Sequence, residues 1–214
     1  MKLYSFFNSS TSYRVRIALA LKGLDYAYEG VNIRILAHRA QDYVDQVNPS
    51  ASVPALDDDG FVLGQSMAIM DYLDRQYPDT QRLLPDEPKK RARILEFASV
   101  ISCDIHPINN LRVLRYLQEE LQVDDEQKQQ WYAHWVADGL DMAERLLEKH
   151  GSGPWCFGAE PTLADCCLIP QWANAERMDC DLSGYPRLAA VYAHAMQHPA
   201  FQQAQPKAQP DFMG

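Results

Sequence analysis

The chain has 214 residues, of which 47% are hydrophobic and 23% charged, so it can bury the core of one large domain or two modest ones. Its 20 basic and 29 acidic residues give a formal net charge of −9, which argues against a nucleic-acid surface and leaves room only for a local anion pocket. The odd number of cysteines, without a CxxC pair, indicates reduced thiols. With no signal-peptide pattern and no apolar run near about 18 residues, we expect a soluble cytoplasmic protein without a membrane partner.

The N-terminal residues predict a β-α-β unit. An apolar and aromatic run over 2–7 is typical of a strand, and a mostly apolar helix follows it and ends at Gly23. Residues 25–33 then predict a second strand, so the crossover should be right-handed.

The next segments complete a small α/β domain. We predict a short helix over 37–46 and a hairpin whose loop, around DDDG (57–60), is longer than two residues. A helix over 65–77 follows and is stopped by Pro78.

Beyond this point only helical patterns occur. We therefore predict an α/β domain over 1–78, a proline-rich linker over 79–88 and an all-helical domain over 89–214. The first long helix of that domain, over 89–121, should kink at Pro107, and the C-terminal tail should be irregular.

Two helix starts carry polar residues with two possible roles. SSTS (9–12) offers more hydroxyls than one cap requires, so it either caps a helix or binds an anion such as a thiolate. Ser66, after Gln65, either caps its helix or helps to bind a carboxylate at the helix N-terminus. Pro54 at a strand start leaves Val53 able to offer its backbone groups to a ligand.

In the helical part, TLAD (162–165) predicts a structural capping box. The cluster around Pro107 is either a solvated face or the lining of a site, with His106 and Asn110 four residues apart on one helix face. Arg177 is either a surface charge or a carboxylate receptor. No hydrolase elbow, phosphate loop or HExxH motif occurs, and we expect no metal site.

Taken together, these segments resemble zeta-class glutathione transferases, the class of maleylacetoacetate and maleylpyruvate isomerases. The resemblance runs through most of the chain in SSTSYRVRIALALKG, NPSASVPAL, QSMAIMDYL, DIHPINNLRVL, PTLADCCLIPQWANAER and DLSGYP. It implies a thioredoxin-like α/β domain that binds glutathione, an all-α domain that completes the substrate site, and a cytoplasmic homodimer.

The resemblance also implies roles for individual residues. Ser9, Ser10 and Thr11 would lie beside the glutathione sulfur, with Ser9 the first choice as thiolate stabiliser. The glutathione backbone would pair with Val53, which precedes a cis bond to Pro54, and its γ-glutamyl end would be held by Gln65 and Ser66. The lining of the glutathione site would include His38, His106 and Asn110. Substrate carboxylates would be bound by Arg14, Arg112 and Arg177.

Two positions depart from the family pattern. Thr11 stands where family members usually carry cysteine, and Asn8 stands where an arginine is common. Because Thr11 keeps a hydroxyl, glutathione binding and thiolate stabilisation should survive. Losing the arginine removes one possible contact to a substrate carboxylate.

The resemblance implies a glutathione-dependent cis–trans isomerase of a maleyl keto acid in aromatic catabolism, working by reversible thiolate addition to the double bond. One alternative is a transferase or dehalogenase that acts on small electrophiles such as α-halo acids. Another is a non-catalytic module for protein contacts, against which the retained Ser9, Pro54, Gln65 and Ser66 argue.

Overall fold

The computed structural model describes residues 1–213, which form two compact units. The first unit comprises Met1–Leu84 together with the segment from Met196 onward, and the second comprises Pro85–Ala195. The sequence prediction placed all of 89–214 in the helical domain, whereas the C-terminal segment packs with the first unit. None of the helices over residues 1–213 has the length and apolar character needed to cross a membrane.

The first unit is built on a mixed four-stranded sheet in the order β2-β1-β3-β4. β1 and β2 are parallel, β3 is antiparallel to β1, and β4 is antiparallel to β3. The elements are β1 (Lys2–Ser5), α1 (Ser10–Lys22), β2 (Ala27–Gly30), α2 (Gln41–Gln46), β3 (Ala55–Asp58), β4 (Phe61–Gly64), α3 (Ser66–Gln76) and α9 (Pro199–Ala204). This arrangement confirms the predicted α/β fold of the N-terminal part.

Helix α1 is buried almost all round, as its apolar pattern predicts. Ile17 and Leu19 are fully buried, and Gly23 ends the helix in the left-handed conformation with a φ of 64°. Its two arginines, Arg14 and Arg16, are buried as well, and both donate hydrogen bonds inside the first unit. The helix therefore carries two cations into the interior.

The hairpin between β3 and β4 is tighter than predicted. Asp58 pairs with Phe61, so only Asp59 and Gly60 form the loop, and their φ values are 52° and 92°. The prediction of a longer loop was wrong because aspartate, like glycine, adopts the positive φ that a two-residue hairpin turn requires.

The second unit is helical, which confirms the predicted fold class. Its elements are α4 (Pro88–Ser99), a π-helical turn (Val100–Ile105), α5 (Leu111–Glu119), α6 (Asp125–His150), α7 (Leu163–Arg177) and α8 (Pro186–Ala195). The capping box begins α7 as predicted, with the Thr162 amide donating to Asp165 Oδ2 at 2.7 Å. Burial raises the pKa of the Asp165 carboxyl, which three hydrogen bonds from Thr162 and Cys156 hold in place.

The predicted helix over 89–121 is interrupted around Pro107 and does not continue as one kinked helix. Residues 106–110 form a turn, and the Asn110 side chain caps the new helix α5. His106 and Asn110 are therefore not a pair on one helix face, which corrects the prediction. A proline lacks the N–H that a helix would use, and an asparagine soon after it offers a cap for a fresh start.

Candidate active site

The hydroxyl cluster at the start of α1 links two loops of the first unit. Ser9 caps the helix, because its Oγ accepts from the Ser12 amide at 3.2 Å. The Oγ atoms of Ser9 and Thr11 lie 3.0 Å apart, and Thr11 donates to the Val53 carbonyl at 3.1 Å. A hydroxyl has one proton to donate, so Ser9 is the donor to Thr11. The capping interpretation is therefore correct for Ser9, and the extra hydroxyl of Thr11 connects it to Val53.

The loop that carries Val53 is held by the side chains of Tyr43 and Asn48, which the sequence did not single out. Tyr43 Oη and Asn48 Nδ2 each donate to the Ser52 carbonyl at 2.8 Å. The Val53–Pro54 bond that follows is cis, as the resemblance implies. Asn48 sits beside Gly64, where an added Cβ would meet its Oδ1 at 3.0 Å. An asparagine after a short helix is a general turn signal and gave no specific clue to this contact.

The start of α3 has an unusual backbone. Gln65 has a φ of 67° and a ψ of 111°, and its side chain is exposed and does not cap the helix. Ser66 is the first residue of the helix, so the interpretation of Ser66 as the N-cap was wrong. A non-glycine residue in such a conformation is typical of ligand-binding positions, and a helix N-terminus favours a carboxylate.

Arg14 lies behind this helix start. It is only 2% exposed, and its Nη1 donates to Ser66 Oγ at 3.4 Å. The guanidinium is buried inside the first unit, so the contact between Arg14 and a substrate stays a prediction, and the structure does not expose Arg14 for it. From there it orients Ser66 and adds positive potential where an anion would bind.

His38, also assigned to the glutathione site, is buried in the short 3-10 segment Ala37–Arg39.

In the helical unit, several predicted residues gather at the turn before α5. Asn110 Oδ1 accepts from the amides of Arg112 and Val113 at 3.1 and 3.3 Å, so its amide oxygen is used by the cap. The Arg112 side chain is exposed, and His106 is half-buried at the end of the π-helical turn.

Arg177 lies at the C-terminal end of α7, where the helix dipole favours a cation. It is exposed, and its Nη2 donates to Asn174 Oδ1 at 3.2 Å. Burial raises the pKa of Tyr132 on α6 to about 12, and the positive charge of Arg177 opposes this shift. Tyr132 is thus a neighbour of Arg177 that the sequence did not reveal, since one tyrosine in an amphipathic helix carries no distinguishing signal.

Comparison with known proteins places this geometry in a family. The model for the glutathione S-transferase N-terminal domain matches residues 1–75, and the model for the C-terminal domain matches residues 129–194. The maleylacetoacetate isomerase of Pseudomonas aeruginosa is 47% identical over 99% of this chain and 98% of its own length.

Two solved structures are also similar over their full length and the full length of this chain. One is a holo maleylpyruvate isomerase, a bacterial glutathione S-transferase of the zeta class, with 43% identity and a TM-score of 0.96. The other is a maleylacetoacetate isomerase from Methylobacterium extorquens AM1 with bound malonate and glutathione, with 33% identity and a TM-score of 0.95. The chain therefore belongs to the zeta class of the glutathione S-transferase family.

Proposed function

We propose that this protein is a glutathione-dependent cis–trans isomerase of a maleyl keto acid, either maleylacetoacetate or maleylpyruvate. The observation that carries the proposal is the hydrogen-bonded chain from Ser9 through Thr11 to the Val53 carbonyl at the N-terminus of α1. Full-length similarity to proteins named maleylacetoacetate and maleylpyruvate isomerase supports the same reaction.

The residues of the first unit fit glutathione group by group. A carboxylate suits the start of α3, where Gln65 leaves the helix without a side-chain cap and Arg14 stands behind Ser66. On the family resemblance, we assign the peptide backbone of glutathione to the main chain of Val53, beside Thr11 and before the cis bond to Pro54. We extend the site, on the family resemblance, to His38 in this unit and to His106 and Asn110 in the helical unit.

Glutathione, when bound, supplies a thiolate that adds reversibly to the cis double bond and so permits rotation about it. The contribution of this chain is to hold that sulfur as an anion. Ser9 can share its proton between Thr11 and the sulfur in a three-centre hydrogen bond, and the amide end of α1 lowers the pKa of a thiol placed there. Ser10 is buried in the first turn of the same helix and completes the cluster.

The substrate carries carboxylates, for which we propose Arg112 and Arg177. Both guanidinium groups are exposed, so a substrate can reach them, in contrast to Arg14. A guanidinium binds a carboxylate through two parallel hydrogen bonds. Such a contact attracts the substrate and also fixes the orientation of its double bond.

We further propose that the protein works as a cytoplasmic homodimer in the catabolism of aromatic compounds, with the residues of 1–78 binding glutathione and those beyond the 79–88 linker completing the substrate site. Light scattering after gel filtration tests the dimer directly. A single species with the mass of one chain would contradict it.

Calorimetric titration with glutathione, followed by assays on three substrates, tests the proposed reaction. We expect binding, and glutathione-dependent loss of the absorbance of maleylacetoacetate or maleylpyruvate. Chloride release from dichloroacetate without isomerisation would favour the transferase or dehalogenase alternative. Failure to bind glutathione would favour a non-catalytic role.

A further inference from the structure

The turn that leads into Ser9 is held by the C-terminal tail of the chain. We propose that Asp211 is a positioning residue that fixes this turn and thereby places the Ser9 hydroxyl and the first amides of α1 for the glutathione sulfur. The inference rests on the proposed function, and it assigns a role to a residue some 200 positions from Ser9 in sequence.

Asp211 uses both carboxylate oxygens. Its Oδ2 accepts from the Phe7 amide at 3.1 Å, and its Oδ1 accepts from Tyr28 Oη at 2.6 Å. The tail approaches closely because Gly30 has no side chain: a Cβ at that position would lie 3.2 Å from the Cβ of Asp211. The carboxylate therefore bridges the chain just after β1 and the parallel strand β2.

Arg16 holds the same turn through its carbonyl groups. Its Nη2 donates to the Phe7 carbonyl at 3.0 Å, and its Nη1 donates to the Phe6 carbonyl at 3.3 Å. Its Nε donates to the carbonyl of Ala204 at 3.0 Å, so Arg16 also anchors the tail. The Phe6 carbonyl in turn accepts from the Ser9 amide at 3.0 Å. The backbone of residues 6–9 is thus fixed by one anion and one cation.

The rest of the tail keeps Asp211 in place. Gln209 is buried and its Nε2 donates to the carbonyls of Gln203 and Gln205, both at 2.9 Å. The ring of Phe212 packs edge-on against that of Phe7 at 5.4 Å. Because a displacement of about 1 Å at a reacting group can cost about 100-fold in rate, a charge-assisted contact two residues from Ser9 bears directly on the chemistry.

Asp211→Asn tests the proposal in the full-length protein. In the asparagine variant Oδ1 can still accept from the Phe7 amide and Nδ2 can donate to Tyr28 Oη, but the negative charge is removed, so the contact to the Phe7 amide is weakened. Tyr28→Phe is the matched control, since it removes only the hydroxyl and leaves the contact to Phe7. Gly30→Ala is a second variant, which displaces Asp211 by a few tenths of an ångström without changing any charge.

The decisive readout is the fraction of bound glutathione present as thiolate, measured by ultraviolet difference absorbance at neutral pH and saturating glutathione. We expect Asp211→Asn to lower this fraction and to reduce kcat about 10-fold, with faster amide exchange in residues 6–9 and a glutathione Kd within about twofold of wild type. Gly30→Ala should shift the thiolate fraction the same way by less, and Tyr28→Phe should stay near wild type.

An unchanged thiolate fraction in Asp211→Asn would overturn the proposal, because the contact would then affect stability and not the sulfur. Equal losses of thiolate in Asp211→Asn and Tyr28→Phe would also overturn it, because the contact to the Phe7 amide would then not be the decisive one. If Asp211→Asn does not fold, Gly30→Ala decides by the same readout. Absence of a thiolate signal in the unmodified protein would instead contradict the proposed function.

Discussion

The Oγ1 atom of Thr11 accepts from Ser9 across 3.0 Å while its own proton points to the Val53 carbonyl. Thr11 is therefore an acceptor for Ser9, and its own proton is engaged by Val53. The Thr11 hydroxyl accepts one hydrogen bond and donates another, which a cysteine thiol does poorly because its sulfur is a weak acceptor and its S–H a weak donor. Thr11 replaces the cysteine usual in the family with a stronger hydrogen-bonding group.

Thr11→Val, which keeps the shape of the side chain, should lower kcat about 5-fold to 10-fold because Ser9 loses the partner that fixes its rotamer. Thr11→Ser should retain nearly full activity, and Thr11→Cys should fall between them. Steady-state kinetics at saturating glutathione measures the three variants. Equal rates for valine and serine at this position would show that the hydroxyl has no orienting role.

Gln65 offers a test that separates backbone strain from binding. Gln65→Gly relieves the positive φ and should leave stability equal or raise it by about 1 kcal/mol, while weakening glutathione binding about 10-fold. Gln65→Ala should weaken binding as much without any gain in stability, since alanine keeps the unfavourable backbone. Chemical denaturation and calorimetry on both variants check this pair. Undiminished affinity in both would exclude Gln65 from the site.

The buried carboxylate of Asp74 ties α3 to the backbone of residues 83–84. Its Oδ1 accepts from Lys22 Nζ at 3.0 Å and from the Leu83 amide at 2.8 Å, and its Oδ2 accepts from the Leu84 amide at 2.8 Å. Asp74→Asn leaves a buried ammonium without its counter-ion and should lower the free energy of unfolding by about 3–5 kcal/mol.

The matched control for Asp74 is Asp141→Asn, which breaks an exposed pair with Arg145 at 3.5 Å and should cost less than about 1 kcal/mol. Urea unfolding curves of both variants provide the comparison. A loss at Asp74 no larger than that at Asp141 would contradict the stabilising role of the buried pair.

Tyr132 predicts a specific dependence of stability on alkaline pH. Its pKa rises from an ordinary value of about 10 to about 12, chiefly through burial. The fold therefore favours the neutral phenol, and this contribution is present below pH 10 and lost as the pH rises toward 12.

Tyr132→Phe should accordingly flatten the decline of unfolding free energy between about pH 10 and pH 12 by about 2 kcal/mol. Tyr116→Phe is the control, since Tyr116 is 57% exposed. Denaturant titrations at several pH values give the slopes. The same slope in Tyr132→Phe and wild type would refute the assignment.

Local signals in the sequence predicted the features that local chemistry determines. Gly23 ends α1 because its left-handed φ suits a residue without Cβ, and Thr162 with Asp165 starts α7 because their side chains serve nearby amides. The order of strands and helices followed from such signals, whereas the family followed from the resemblance of whole motifs.

Contacts between distant positions could not be predicted in this way. The periodicity of α1 does not tell which way an arginine points, so Arg14 was assigned to substrate although it is buried behind Ser66. Likewise nothing near Asp211 indicates its bond to Phe7, because the partner lies at the other end of the chain. These contacts depend on packing, which a single sequence does not encode locally.

The most direct test of the account compares Ser9→Ala with Ser12→Ala in glutathione-dependent isomerisation of maleylacetoacetate and maleylpyruvate. Each variant removes one hydroxyl near the start of α1, and within residues 1–213 the Ser12 Oγ is buried without a hydrogen-bond partner. We expect Ser9→Ala to lose about 100-fold in kcat or more, with Ser12→Ala close to wild type. Full activity in Ser9→Ala, or equal losses in both variants, would contradict the account.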